Sequence, residues 1–319
     1  QYVSVNETKQ SAPYASGETP AYTTTLQNPA ARSTTVTAPD GSQTVTVVNG
    51  LTTTITDPAG RVTTSQADVW GRTISVTPPD GPGLTYTYDL LGRLLTATRG
   101  GATTTLTYDM AGRKIAMSDP DMGNWSYTYD ALGNLISQTD ARSCTMTLSY
   151  DLLNRLTAKN SSGTGCGTQV NTTYTYDAGA NGKGRRTAMS DVSGTAAWSY
   201  DARGRLRTEI KTISGQTYLT QWTYNSADLP VTMTYPDGEV VTTAYDENML
   251  LESVIGANPY VQSSTYDVAG RLTERSLGNG LTQVYSYYAW DQQGGRLQSL
   301  STTGLQNLSY QYSLAGNIT

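Results

Sequence analysis

The phrase Tyr-Asp-x-x-Gly-Arg, or a near variant, returns along this chain at an almost constant spacing. Tyr88, Asp89, Gly92 and Arg93 form one copy, and Tyr108, Asp109, Gly112 and Arg113 the next. Tyr129, Asp130 and Gly133 follow, then Tyr150, Asp151 and Arg155. Tyr200, Asp201, Gly204 and Arg205 form a later copy, as do Tyr266, Asp267, Gly270 and Arg271. With the acidic residue as marker, twelve units run from Asp68 to Ser313, spaced 20 to 26 residues apart with a base period near 21. A period this short makes each unit one supersecondary piece, which cannot bury its own apolar face and must stack on its neighbours.

The residues within a unit describe a hairpin. Tyr precedes the marker in ten of the twelve units, Ala67 and Trp290 being the exceptions. Two positions before it stand further large residues such as Tyr86, Tyr127, Tyr174, Trp198 and Trp222, and mostly Thr or Ser lies between. Residues two apart share one face of a strand, so the alternation reads as strand with rings on one side. Asp is favoured at the start of a turn, where its carboxylate accepts backbone N–H groups. Three residues on, Gly occurs in eight units, while Asn154 and Asp228 are residue types that tolerate positive φ. Ala180 and Met249 do not fit and predict turns built differently. Arg or Asn follows, then usually an aliphatic residue such as Leu94, Leu135 or Leu272 that begins the return strand. Gly163, in a longer loop, is expected to be the least demanding of these glycines. The Asp and Arg that flank each turn can form exposed ion pairs, each contributing little.

A lone hairpin is marginal in water, so the hairpins should join into a continuous antiparallel sheet. The expected fold class is all-β, with on the order of 20 to 24 strands, and a sheet that large should coil. Residues 57–319 read as one repeat array and residues 1–56 as degenerate β repeats, with "DPAGR" at Asp57 and "PDG" at Pro39 as relatives of the phrase. The chain stops inside a further copy, "LAGNIT", and is expected to be part of a longer polypeptide.

Composition excludes several functions. There is no His, which removes the usual triads, histidine metal ligands and the common base near neutral pH. There is also no Phe against 23 Tyr and 5 Trp, so every ring carries a polar handle suited to a half-wet position. A net charge of −5 argues against nucleic acid, and no apolar run is long enough to span a membrane. Calcium would need a denser oxygen cluster than Asp-x-x-Gly supplies. No carboxylate pair is singled out for glycoside hydrolysis, because the repeated Asp residues are explained by the turns. No catalytic, cofactor-binding or metal residue is assigned, and the chain is read as not an enzyme. Cys144 and Cys166 lie one period apart but not in identical register; a disulfide and two free thiols both fit.

The copies "YTYDLLGRL", "TYDMAGRKI" and "TYDVAGRL" resemble the YD repeat of the Rhs family. That family includes bacterial Rhs polymorphic toxins, wall-associated toxins, the C component of insecticidal toxin complexes, and teneurins. One copy of the phrase is a weak signal; many at fixed spacing are specific, and the resemblance covers roughly residues 57–319. It implies a spiralling sheet that is part of a hollow shell. The implied function is structural encapsulation of a C-terminal toxin or cargo of the same parent chain, with a delivery-apparatus protein as a further partner and a secreted or cell-surface bacterial location. The family's self-cleaving carboxylates and the toxin would lie past the last residue here. The alternative is an extracellular or cell-surface recognition protein that binds glycan or protein through its Tyr and Trp, as in the teneurin branch.

Overall fold

A computed structural model describes residues 6–12, 21–29 and 31–319 of the chain. The fold is all-β: 28 strands belong to one sheet, and the paired strands are antiparallel neighbours in sequence. The strand count exceeds the expected 20 to 24 because hairpins already run upstream of Asp57. Tyr22–Asn28, Ser33–Thr37, Gln43–Asn49 and Thr52–Thr56 pair in succession although they carry almost no rings. Their Thr and Val content is strand-forming by itself. Among the described residues helix is confined to one turn, Trp290–Gln293, and a 3-10 turn, Thr164–Cys166. Two compact units are present, one drawn from residues 1–87, 98–101 and 244–319, the other from 88–97 and 102–243.

The sheet is a single layer. In the strand Gly123–Tyr129, Trp125, Tyr127 and Tyr129 are half-buried while Asn124, Ser126 and Thr128 are exposed. Among the described residues, the strands make their main contacts with their neighbours in the sheet. Among the described residues only Ala196 and Val241 are buried hydrophobics, and no large side chain is fully buried. Stability therefore comes from the ladder of backbone hydrogen bonds and from contacts along the ring face, not from a core.

Connections alternate between the two edges of the sheet. The motif turns at Asp68, Asp89, Asp109, Asp130, Asp151, Asp201 and Asp267 all lie on one edge. The opposite edge holds the turns Ala38–Ser42, Asp57–Arg61, Asp140–Cys144 and Tyr235–Glu239. "DPAGR" at Asp57 is thus the same local turn on the other edge, not an earlier member of the same row. "PDG" is a different turn: Ala38 occupies the capping position and Asp40 stands two residues into the loop.

Most motif hairpins also contain a feature with no counterpart in the sequence pattern. Tyr129 pairs with Leu135 but Thr128 with Ser137, so Ile136 is an extra residue. The same shift falls just before the motif Tyr at Tyr108, Tyr150, Tyr176, Tyr200, Tyr224 and Tyr266. A β-bulge bends its strand and increases the right-handed twist. Here the bulges recur at one edge, always on the return strand, so their local bends have one sense.

Candidate functional site

Among the described residues the repeated turn is the constellation of charged and aromatic groups that recurs, and its chemistry is built from the marker outward. In Asp89 the Oδ1 accepts the N–H groups of Leu91 and Arg93, both at 2.9 Å, and Oδ2 pairs with Nε of Arg93 at 2.5 Å. Asp151, Asp201 and Asp267 repeat this pattern, each with its Arg Nε at 2.7 Å. Asp109 likewise pairs with Nε of Arg113 at 2.7 Å. Asp130 substitutes the amide of Asn134, at 2.9 Å. The glycine donates its N–H to the marker carbonyl, as Gly133 does to Asp130 at 3.1 Å, and must take positive φ to do so. Gly92, Gly112, Gly133, Gly204 and Gly270 all have φ between 76° and 90°.

The arginine then reaches out of its own turn. Arg93 donates through NH1 to the carbonyl of Asp109 at 2.8 Å, Arg113 to that of Asp130 at 2.9 Å, and Arg205 to that of Asn225 at 3.0 Å. The same guanidinium covers the next motif ring: Arg93 lies 5.1 Å from the Tyr108 centroid, Arg113 5.0 Å from Tyr129 and Arg205 4.7 Å from Tyr224. Each ring ties back by its hydroxyl. Tyr129 donates to the carbonyl of Lys114 at 2.8 Å, Tyr150 to Leu135 at 2.9 Å, Tyr200 to Arg186 at 2.6 Å and Tyr266 to Leu251 at 2.7 Å. One unit is thus locked to the next by a guanidinium, a ring face and a phenol. Tyr88 is likewise a partnered member of the row.

The electrostatics match a structural role. The backbone N–H of the following Arg, opposed by partial burial and reinforced by the guanidinium, holds Asp89, Asp109 and Asp151 below the ordinary carboxylate value. In Asp130 the Asn134 amide is the largest cause. For Asp201 and Asp267, burial is the largest influence and raises the pKa, but the N–H and guanidinium of the following Arg outweigh it. Asp177 is lowered to about 2, chiefly by Arg155, which reaches it across the repeat at 2.7 Å, and next by the N–H of Gly184. Carboxylates held in this way are poor proton donors. No group of three or more potential metal-ligating side chains occurs among the described residues.

Three expectations need correction. Met249 takes φ 63° and closes the Asp246 turn with the standard bonds, its N–H reaching Asp246 O at 3.0 Å, so that turn is not built differently. Trp290 and Asp291 are not the motif pair of their unit. They sit in the short helix, and Tyr287 and Tyr288 take the motif places: the Tyr287 hydroxyl reaches Leu272 O at 2.8 Å and the Tyr288 N–H reaches Arg296 O at 2.9 Å. Gly163 is one of the more constrained glycines. It has φ 115°, and an added Cβ would stand 2.5 Å from the carbonyl oxygen of Ser143. The Ala180 turn, by contrast, does differ: Asp177 itself takes φ 67° and the loop runs on to Arg185. Cys144 and Cys166, left open by the sequence, form a disulfide with a Cα–Cα distance of 4.6 Å.

The comparisons with known proteins fit this geometry. The family model described as RHS Repeat matches residues 68–101, 129–164, 180–217 and 200–240. The crystal structure of TcdB2-TccC3 is similar over 93% of this chain, with a TM-score of 0.82 and 18% identity. That of TcdB2-TccC3 without the hypervariable C-terminal region gives the same values. The Photorhabdus luminescens Tc holotoxin pore with a mutated TccC3 matches 93% of the chain at 18% identity and a TM-score of 0.80. The chain spans 17 to 18% of the length of these chains. No curated protein matches it in sequence. The chain thus carries RHS repeats over these segments and has the fold of these toxin-complex chains.

Proposed function

We propose that this chain is a section of the wall of an Rhs-type encapsulation shell, enclosing a C-terminal cargo of its parent polypeptide in a secreted or cell-surface bacterial protein. The observation that carries the proposal is the single-layer sheet, locked unit to unit by the Asp–Arg–Tyr ladder. It gives a wall its lateral strength without a core, and its one-sided bulges favour consistent curvature. A sheet of this kind has two faces to offer, and a container needs both an inside and an outside. The role is structural and non-catalytic, since the motif carboxylates and guanidinia are engaged in holding the turns. The likeness to the TcdB2-TccC3 structures supports the same assignment.

Recognition of glycan by exposed rings is the weaker reading, because the polar handles are largely occupied. The motif phenols donate to carbonyls, the indole of Trp198 donates to Glu209 at 2.9 Å, and that of Trp125 donates to Met122 O at 3.1 Å. No helix among the described residues is long and apolar enough to cross a membrane.

Limited proteolysis of the parent polypeptide tests the proposal. The segment following the repeats should survive while the wall is intact and be cleaved rapidly once the wall is unfolded. Cleavage at the rate of the isolated segment, with the wall still folded, would rule encapsulation out.

A further inference from the structure

The insertion that follows the strand Leu156–Ser162 has little of its own to hold it. It reads "GTGCGTQ" over residues 163–169, and all of these are exposed except Gly165 and Cys166, which are half-buried. The sheet closes its base. Buried Ser161 donates its N–H to Val170 O at 2.8 Å, and its hydroxyl accepts the Val170 N–H at 2.7 Å. Above that base the loop has an internal bond, from Cys166 N–H to Gly163 O at 3.3 Å.

The loop lies against the opposite-edge turn Asp140–Cys144. A Cβ on Gly165 would stand 1.8 Å from the carbonyl oxygen of Arg142, and one on Gly163 2.5 Å from that of Ser143. Only glycine lets two backbones come this close. Yet among the described residues no hydrogen bond or ion pair joins 163–169 to that turn. The turn is complete without the loop: Asp140 N–H reaches Cys144 O at 3.0 Å, and Cys144 N–H reaches Asp140 Oδ1 at 2.9 Å. What ties the two together is the Cys144–Cys166 bridge. The strands on either side do not need it, since Met146 pairs with Ser161 and Asn160 with Asn171 below the loop.

We propose that the Cys144–Cys166 bridge is a thiol-operated latch: a small-molecule thiol opens it and releases residues 163–169 while the sheet beneath stays paired. A thiolate attacks one sulfur and expels the other as thiolate, which takes up a proton. A second thiol then resolves the mixed disulfide. Two small thiols thereby become one disulfide, and the protein gains two electrons and two protons. Both cysteines are half-buried at an edge of the sheet, beside exposed residues, and exposed bridges are the ones that exchange readily. The loop is thus closed where the surroundings are oxidising and open where thiols are kept reduced. The latch is a property of the sheet edge and holds whatever the wall encloses.

The folded parent polypeptide, treated with reduced glutathione under native conditions, tests this. Iodoacetamide labelling read by mass spectrometry counts the reduced cysteines, circular dichroism follows the sheet, and brief proteinase K digestion locates cleavage. Cys144 and Cys166 should label after treatment and not before, with the strand signal unchanged. Cleavage within residues 163–169 should speed up by roughly tenfold or more, because the loop no longer has to open before it is cut. Reoxidation should restore the slow rate. The Cys144→Ser/Cys166→Ser variant should be cut at the fast rate with and without glutathione. A bridge that glutathione leaves intact while the sheet is folded overturns the proposal, and so does a reduced bridge whose loop is cut no faster. Loss of the strand signal on reduction overturns it as well, since the bridge would then hold the sheet and not the loop.

Discussion

At the scale of single residues, the motif is a division of labour. Asp closes its own turn, Gly supplies the backbone conformation, Arg spans to the next unit, and Tyr receives the Arg on its face while its hydroxyl bonds the previous one. Because the Asp–Arg pairs are partly exposed, the pairing itself contributes little; the phenol bond, at a half-buried site, contributes more. Tyr129→Phe should destabilise by about 0.5–1.5 kcal/mol in chemical denaturation, the usual net worth of one hydrogen bond. A value near zero would mean that the Lys114 carbonyl finds water equally well. Met249 carries the opposite opportunity. Its φ of 63° costs a non-glycine side chain energy that Asn tolerates better. Met249→Asn should raise stability by roughly 0.5–1 kcal/mol, seen as a higher melting temperature. Glycine substitutions separate two causes. Gly133→Val meets nothing within 4 Å, so it suffers only its φ of 90° and should lose roughly 1–3 kcal/mol. Gly163→Val should lose more, because the Ser143 carbonyl must also move. Equal losses at the two sites would contradict the geometry.

At the scale of elements, the hairpin was legible because strand, turn and return strand each leave local marks: a two-residue alternation, an Asp, a Gly. The bulge left none. Ile136, Thr157 and Val231 are the extra residues of their hairpins; all three are β-branched, but so are most residues of the surrounding strands, and the type does not mark the bulge. A bulge is a property of how two strands register, which no single strand records. The insertion between Ser162 and Asn171 is the other element-scale device. It is tied by the Cys144–Cys166 disulfide to the opposite-edge turn that begins at Asp140, which closes a loop of 22 residues. Replacing both cysteines with Ala should cost about 2–4 kcal/mol, on the loop-closure argument. Hydrogen exchange should show the loss concentrated between residues 140 and 171; uniform loosening along the whole chain would argue that the bridge is not local in its effect.

At the scale of the whole molecule, the absence of a core shifts the burden to the repeated turns, and this shows in the pH dependence. Asp89, Asp109, Asp151, Asp201 and Asp267 have folded-state pKa values below their unfolded value of 3.8, and Asp177 lies at about 2. A lowered value means that the unfolded chain binds the proton more readily. The stabilisation is therefore complete above the unfolded pKa and is lost as pH falls toward about 2. Melting temperature should hold steady from neutrality to about pH 5 and fall steeply below pH 4, since many turns titrate together. A flat profile down to pH 2 would show that the caps do not stabilise the fold. Burial raises the phenols of Tyr150, Tyr224 and Tyr287, so a second loss is expected as pH climbs through and above their unfolded value of 10.0. Circular dichroism should show strand and turn with almost no helix; a helical content above about one-fifth would be incompatible with a hairpin period this short.

What the sequence determined by itself was everything that depends on residues close along the chain. The all-β class, the hairpin period, the Asp cap and the positive-φ glycines are each set by interactions within about five positions, and such interactions write themselves into residue choice. The tertiary structure alone decided how those pieces meet. It placed Asp57 and Asp140 on the opposite edge from Asp89, a matter of whether strands between them are odd or even in number. It moved the motif pair from Trp290–Asp291 to Tyr287–Tyr288, because the ring must fall within reach of the Leu272 carbonyl of the preceding unit. It also set Leu314 against turns more than 250 residues earlier in the chain. Contacts over that separation are made by the curvature and twist of the intervening strands, summed hairpin by hairpin, and no local residue pattern encodes the sum.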